Sequence, residues 1–219
     1  MNRRAIVIGT GIVAVAGFAT AAVYQTRFAG QEPPAVSHQV LVRPHSPVIG
    51  PMDAPVTIVE FFDPSCEACR AFYPLVKRMM AEFPNDTRLV LRYAPLHEGS
   101  DEAIRIIEAA RLQDKFLPVL EKLLFEQPQW AVHGKPDLEK AWSFAGAAGL
   151  DVPRAKADAS SPAIQAVLQQ EVADMKAIAL TGTPTFFVNG QRLLSLDPQD
   201  LLDRISAAVK AAGSGAGAS

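Results

Sequence analysis

Two cysteines, Cys66 and Cys69, are the only ones in 219 residues, and they stand as Cys66-Glu67-Ala68-Cys69. Thiols three positions apart can close one small-ring disulfide, and no further cysteine is present to build a structural bridge or a four-sulfur metal site. Two chemistries suit such a pair. One is thiol–disulfide exchange, in which a thiolate attacks a disulfide sulfur and passes through a mixed disulfide. The other is capture of a soft cation such as copper(I) by two sulfurs. A zinc-ribbon half-site fits less well, because no second Cys/His pair of suitable spacing accompanies the first. Of the four histidines, His38, His45 and His133 read as surface residues rather than ligands, and His97 as a loop or helix-capping residue. No cofactor is implied.

Positioning such a pair takes a strand that ends beside it and a helix that starts at it. Val56-Thr57-Ile58-Val59-Glu60-Phe61-Phe62 is almost wholly β-branched and aromatic, so it reads as a buried central strand. Asp63-Pro64-Ser65 breaks it. From Cys66 onward, Ala71, Phe72, Leu75, Val76, Met79 and Met80 recur at helical spacing, while Lys77, Arg78 and Glu82 face away. Pro74 lies inside this helix and is expected to kink it. Cys66 thus falls at a helix start, where unpaired N–H groups and the helix dipole favour a thiolate. Cys69, one turn in, is expected to be more buried. The run from Arg88 to Tyr93 is a second core strand. Between 100 and about 179 the sequence is mainly helical, with apolar repeats over 103–112, 116–125, 138–148 and 164–178, and Trp130 and Trp142 read as core.

A second signature follows. Thr181-Gly182-Thr183-Pro184-Thr185-Phe186-Phe187-Val188-Asn189-Gly190-Gln191 reads as loop, proline, strand and an Asn-Gly hairpin turn. The strand returns over 191–194, and Asp197-Pro198 opens a last helix to about Ala212.

In these pieces the chain resembles the thioredoxin superfamily and, more closely, its DsbA-like branch. The matching parts are Glu60-Phe61-Phe62 before Cys66-x-x-Cys69, and Thr183-Pro184-Thr185-Phe186 before Asn189-Gly190. The lead-in Gly50-Pro51-Met52-Asp53-Ala54-Pro55-Val56 and the helical segment between the halves match as well. The resemblance spans roughly 48–212. It implies an α/β thioredoxin-like fold with an inserted helical subdomain as a cap, and a substrate groove between the two parts. It also implies roles. Cys66 is the exposed nucleophile and Cys69 its partner. Pro184 is a cis-proline that brings the Thr183 backbone beside the Cys66 sulfur, where an extended substrate pairs with it. The Thr183 hydroxyl is a further donor toward that sulfur.

Glu60 has two readings. Buried in an apolar strand, its carboxyl would have a raised pKa and exchange a proton with Cys69, and the resembled proteins carry an acid here. It would otherwise pair with Arg92 on the adjacent strand. The inner dipeptide departs from the strongly oxidising relatives, which place proline and histidine between the cysteines. Glu67 beside the nucleophile repels a thiolate, Ala68 offers no donor, and Arg70 offsets part of this. The sequence therefore predicts a Cys66 pKa above that of the strongest oxidants and a more reducing potential.

The rest bounds the setting. A hydrophobic content of 49% can fill one core, and a net charge of −2 without a basic stretch gives no case for nucleic acid. Arg3-Arg4 followed by an uncharged run to Thr26 makes residues 1–27 a signal peptide or an N-terminal membrane anchor. Ala19-Thr20-Ala21 offers a cleavage site. Residues 28–47 read as linker, 48–212 as the DsbA-like domain and 213–219 as a flexible tail. The combined expectation is a periplasmic protein, tethered to the inner membrane if the leader is kept, that forms disulfides in unfolded or reduced exported proteins. A membrane redox partner, an oxidase or a reductase, would renew it. The alternatives are a periplasmic disulfide reductase or isomerase and a copper-binding dithiol carrier.

Overall fold

The structure, a computed structural model, describes residues 36–216. The expected leader at 1–27 and the end of the expected tail at 217–219 lie outside the described residues. Helix α1 (His38–Leu41) precedes β1 (Val48–Ile49) and β2 (Val56–Phe62), and α2 (Glu67–Glu82) crosses over to β3 (Thr87–Tyr93). Six helices follow: α3 (Ser100–Arg111), α4 (Phe116–Phe125), α5 (Gln127–Trp130), α6 (Leu138–Ala147), α7 (Val152–Ala159) and α8 (Pro162–Ala177). The chain then returns as β4 (Thr185–Val188), β5 (Gln191–Arg192) and α9 (Pro198–Ala216). Among the described residues the strands form one sheet in the order β1-β3-β2-β4-β5.

The parallel β2–β3 pair requires a crossover, and α2 supplies it. The other neighbours are antiparallel. β4 and β5 need only the two-residue turn, with Asn189 at φ 46° and Gly190 at φ 87°, the conformation that Asn-Gly favours. Every residue of β2 is buried, as a strand covered on both faces must be. Ile58 and Phe62 join Leu89, Leu91 and the α2 residues Cys69, Phe72 and Val76 on one face, together with much of the helical insertion. Val59 and Phe61 join Val90, Leu41, Met175 and Phe187 on the other. Burying each such side chain contributes about 1.5–3 kcal/mol. Trp130 and Trp142 are both core, as their spacing predicts.

Two sequence expectations need correction. Residues 36–47 do not behave wholly as linker. Leu41 is buried, Val36 N–H donates to Gly190 O at 3.0 Å, and Arg43 pairs with Asp174 at 2.6 Å. Their apolar residues cover the second face of the sheet, which α2 leaves open. The last helix also passes Ala212 and continues through the glycine-containing segment to Ala216.

Candidate active site

The end of β2 and the start of α2 deliver Cys66. Asp63 closes the strand, its carbonyl accepts from Cys66 N–H at 3.0 Å, and Cys66 becomes the N-cap of α2 in extended conformation. The N–H groups of the first helical turn therefore point at its sulfur. From the far end of the sequence, the loop before β4 carries a cis Thr183–Pro184 bond. It brings the Thr183 carbonyl to 3.3 Å from Cys66 Sγ, which donates to it as a thiol. Pairing of β4 with β2 makes this meeting possible, with Phe61 opposite Thr185.

Both thiols are unbridged and buried, Cys66 at 6% exposure and Cys69 at 1%. Cys66 is thus the more accessible sulfur, but the expectation of an exposed thiol is corrected, because Thr183 covers it. The two ionise in opposite senses. Cys66 is pulled down to about 5, first by a hydrogen bond from Cys69 and then, against the cost of burial, by the Thr183 side chain and the Cys69 and Ala68 N–H groups. Cys69 is driven far upward, chiefly by burial and by donating to Cys66, with Glu60 and Cys66 adding charge repulsion. Cys69 Sγ also accepts from Asp63 N–H at 3.4 Å.

Glu60 lies on the face of β2 that meets α2, and its pKa is pushed up to about 8 by burial first and the Cys66 charge second. Its Oε2 has no hydrogen-bond partner. The alternative pairing with Arg92 does not form. Glu60 stands opposite Leu91 and Arg92 opposite Phe61, so strand alternation sends the two side chains to opposite faces. Arg92 instead reaches Glu171 at 3.0 Å and Asp174 at 2.6 Å.

Glu67 departs from its expected part as well. Its carboxylate turns outward to His133 at 3.0 Å and is held low by its own backbone N–H first, with His133 contributing. It is not among the largest influences on the Cys66 pKa. A value of about 5 still lies between the ~3.5 and ~7 that bracket exchange cysteines of this kind. His45 is less of a surface residue than expected, since Nε2 meets the buried Glu171 at 2.7 Å.

Sequence reading missed three supporting residues. Asp63, read only as a strand breaker, is fully buried and gathers Ser65, Leu96, His97 and Ser100 around its carboxylate. Gln127, from the insertion, donates to Pro64 O at 2.7 Å and Cys66 O at 3.0 Å and accepts from Arg70 at 3.0 Å. His133 comes from the loop after α5. Of these, only Asp63 was marked locally, by its position three residues before the nucleophile. Among the described residues, no cluster of three or more His, Cys, Asp or Glu side chains is arranged to hold a metal ion.

A dithiol at a helix start, with a cis-proline loop beside it at the end of a central sheet, is the arrangement of a thioredoxin-type site. The chain belongs to the thioredoxin family, whose model, described as Thioredoxin, matches residues 43–210. The fold is that of a thioredoxin-like oxidoreductase from Silicibacter pomeroyi DSS-3. That structure is 31% identical with TM-score 0.69, and the match covers 80% of this chain and 99% of that one. The alpha-DsbA1 structure from Wolbachia pipientis has TM-score 0.69 at 15% identity, covering 78% and 94% of the two chains, so the two share a fold. A Na(+)/H(+) antiporter NhaA from Herminiimonas arsenicoxydans is 36% identical over 144 residues, 66% of this chain and 22% of the antiporter. The chain spans about a quarter of the length of such curated relatives, and their ion exchange is not carried over to it.

Proposed function

We propose that this protein is an exported thiol:disulfide oxidoreductase that acts on protein thiols through Cys66 and Cys69 and works mainly in the disulfide-forming direction. The observation that carries the proposal is the Cys66 sulfur at the start of α2, ionising at about 5 and 3.3 Å from the Thr183 carbonyl. A low thiol pKa stabilises the reduced form and makes Cys66 a good leaving group, and both favour the oxidant.

In the first step a substrate thiolate attacks Sγ of Cys66 in the Cys66–Cys69 disulfide, and the electron pair leaves on Cys69. The resulting Cys69 thiolate is strongly disfavoured by burial, so it takes a proton at once, and Glu60 is the buried acid beside it. A second substrate thiolate then attacks the substrate sulfur of the mixed disulfide and expels Cys66 as thiolate. The Thr183 backbone next to Pro184 offers the edge along which an extended substrate segment lies. Reduced or unfolded exported proteins are the substrates, and a membrane redox partner restores the disulfide. Export rests on the leader of residues 1–27. Among the described residues no helix is long and apolar enough to cross a membrane.

Equilibration with glutathione buffers tests the direction. The proposal expects a potential more oxidising than that of a cytosolic reductase of this fold, about −270 mV. A potential at or below that value points to a reductase working through the same sulfur. A Cys69→Ala variant made with its leader should accumulate mixed disulfides through Cys66 alone, and a variant that captures no exported protein contradicts the reading.

A further inference from the structure

One face of α2 has no part in the exchange steps. Cys69, Phe72 and Val76 turn into the core, and the Phe72 ring meets Phe186 of β4 at 5.7 Å, on the side of the Thr183–Pro184 loop. A helix turns about 100° per residue, so Pro74 points about 200° round from Phe72, away from that loop. On this other side α2 and α4 wall a groove of about 550 Å³, with Tyr73, Pro74, Leu124 and Phe125 as its apolar lining. Such a volume suits one or two side chains of a bound group.

The groove is preformed. Glu121 of α4 accepts from the Tyr73 hydroxyl at 3.2 Å and from Lys77 Nζ at 2.6 Å, which joins the two walls. Phe125, the last residue of α4, is nonetheless 77% exposed, and Pro74 is exposed on the facing wall. A ring left this open within a larger apolar surface marks an interaction site, unlike an apolar residue scattered alone. The rim is basic. Arg70, Lys77 and Arg78 stand there against Glu121 alone. Lys77 and Glu121 satisfy each other, whereas Arg70 donates its Nε to the neutral amide of Gln127 at 3.0 Å. The Arg78 guanidinium has no partner among the described residues. Two cations without a carboxylate thus border apolar surface on a chain of net charge −2, and the complementary partner is apolar and acidic.

The groove also starts at the site. Gln127 donates to Cys66 O at 3.0 Å and accepts from Arg70, so the near end of the groove lies one helical turn from the nucleophile. From Cys66 to Pro74 the helix rises about 12 Å, and an extended chain advances about 3.3 Å per residue. A polypeptide joined to Cys66 therefore lies over Pro74 about four residues from its own cysteine.

We propose that this groove is a second docking site for the substrate polypeptide. It holds an aromatic or large aliphatic side chain against Pro74 and Phe125 while a neighbouring carboxylate meets Arg70 or Arg78. The proposal rests on the exchange reading and adds selectivity to it, since the Thr183 backbone pairs with any extended segment and the groove does not. A concave site between two helices receives a side chain, whereas a bilayer surface needs a protruding one.

The test uses the full oxidised chain and single-cysteine peptides carrying Phe-Glu-Glu four residues after, or four residues before, the cysteine. The peptide thiolate attacks Cys66 Sγ, the Cys66–Cys69 bond breaks, and its electron pair leaves on Cys69, which takes a proton. The quantity read is the rate of mixed-disulfide formation divided by the rate with glutathione, which is too short to reach the groove. In one of the two orders the peptide should react about tenfold faster than versions with serine for phenylalanine or lysine for glutamate. Added salt should shrink the advantage over the lysine version. Phe125→Ser should bring the advantage over the serine version below about twofold, and Arg78→Glu should do the same for the lysine version. Equal ratios in wild type and both variants overturn the proposal. Self-association in sedimentation that Phe125→Ser abolishes would assign the groove to a second copy and overturn it as well. Phe125-dependent binding to vesicles of phosphatidylglycerol and phosphatidylethanolamine would overturn it in favour of a membrane surface. If neither peptide nor glutathione reacts, the exchange reading fails on its own account. NMR of the reduced chain with the peptide carrying serine for cysteine then judges the groove: shifts at Tyr73, Leu124 and Phe125 support it, and none there overturns it.

Discussion

Burial acts on three ionisable groups around the sulfur and loses at only one. Cys66 gathers enough donors to be pulled down to about 5, whereas Cys69 and Glu60, with fewer donors, are both pushed up. Because the Cys69 hydrogen bond is the largest influence on Cys66, Cys69→Ala should move the Cys66 midpoint upward toward the free-thiol range, about 8.5, as read by thiolate absorbance. Glu60 makes the complementary case. Its folded pKa of about 8 lies above the unfolded 4.5. The unfolded chain therefore loses its proton first as pH rises, and stability falls between those two values. Glu60→Gln lacks this penalty. In urea unfolding it should be more stable than wild type at pH 7.5 by on the order of 4 kcal/mol, with the gap closing toward pH 4.5. A gap independent of pH would count against a buried, neutral Glu60. The cysteines and Pro184 were legible because each sits in a local pattern. The choice between Cys69 and Arg92 as the neighbour of Glu60 was not, since it turns on which face of β2 the side chain takes.

At the scale of elements, the start of α2 is held by a residue far away in sequence. Gln127 ties the Pro64 and Cys66 carbonyls and Arg70 together from α5. Truncation to alanine leaves those buried groups without their partner, which costs about 1–3 kcal/mol. Gln127→Ala should lower the unfolding free energy by that amount and speed alkylation of Cys66 in the folded state. Unchanged alkylation with lowered stability would mean that Gln127 supports the fold and not the loop. Nothing in a single sequence marks such a residue, because its meaning lies in a contact across 61 positions. The helices themselves were readable from their apolar spacing, and the insertion from Ser100 to Ala177 falls close to its expected bounds. The same spacing failed at 36–47, where one short helix is anchored by packing and an ion pair instead of by its own periodicity.

For the whole molecule, the two faces of the sheet carry different loads. One face meets α2 and the site. The other is locked by a buried charge cluster, in which Arg92 joins Glu171 and Asp174, and Arg43 and His45 join from the segment before β1. Removing one member of such a cluster strands the rest, at a cost of about 3–5 kcal/mol. Arg92→Leu should therefore lose stability on that scale in chemical unfolding, and a loss under 1 kcal/mol would show the cluster to be dispensable. Burial opposes ionisation of Asp174, yet hydrogen bonds from Arg43, Arg92 and Gln170 hold it below 3.8. Its contribution is present above that pH and lost as pH falls through the lower folded value. The two central strands and the closing hairpin were readable in the sequence, whereas β1 and the helix before it were not, and the cluster depends on β3 alternation combined with the approach of α8. No local motif records that combination.

The most direct measurement is the rate of iodoacetamide alkylation of the fully reduced protein against pH, with the modified residue identified by mass spectrometry. Modification of Cys66 first, with a midpoint near 5, is the result expected of a sulfur held ionised at the start of α2 beside Thr183. A midpoint in the ordinary thiol range, or reaction at Cys69 before Cys66, would contradict it.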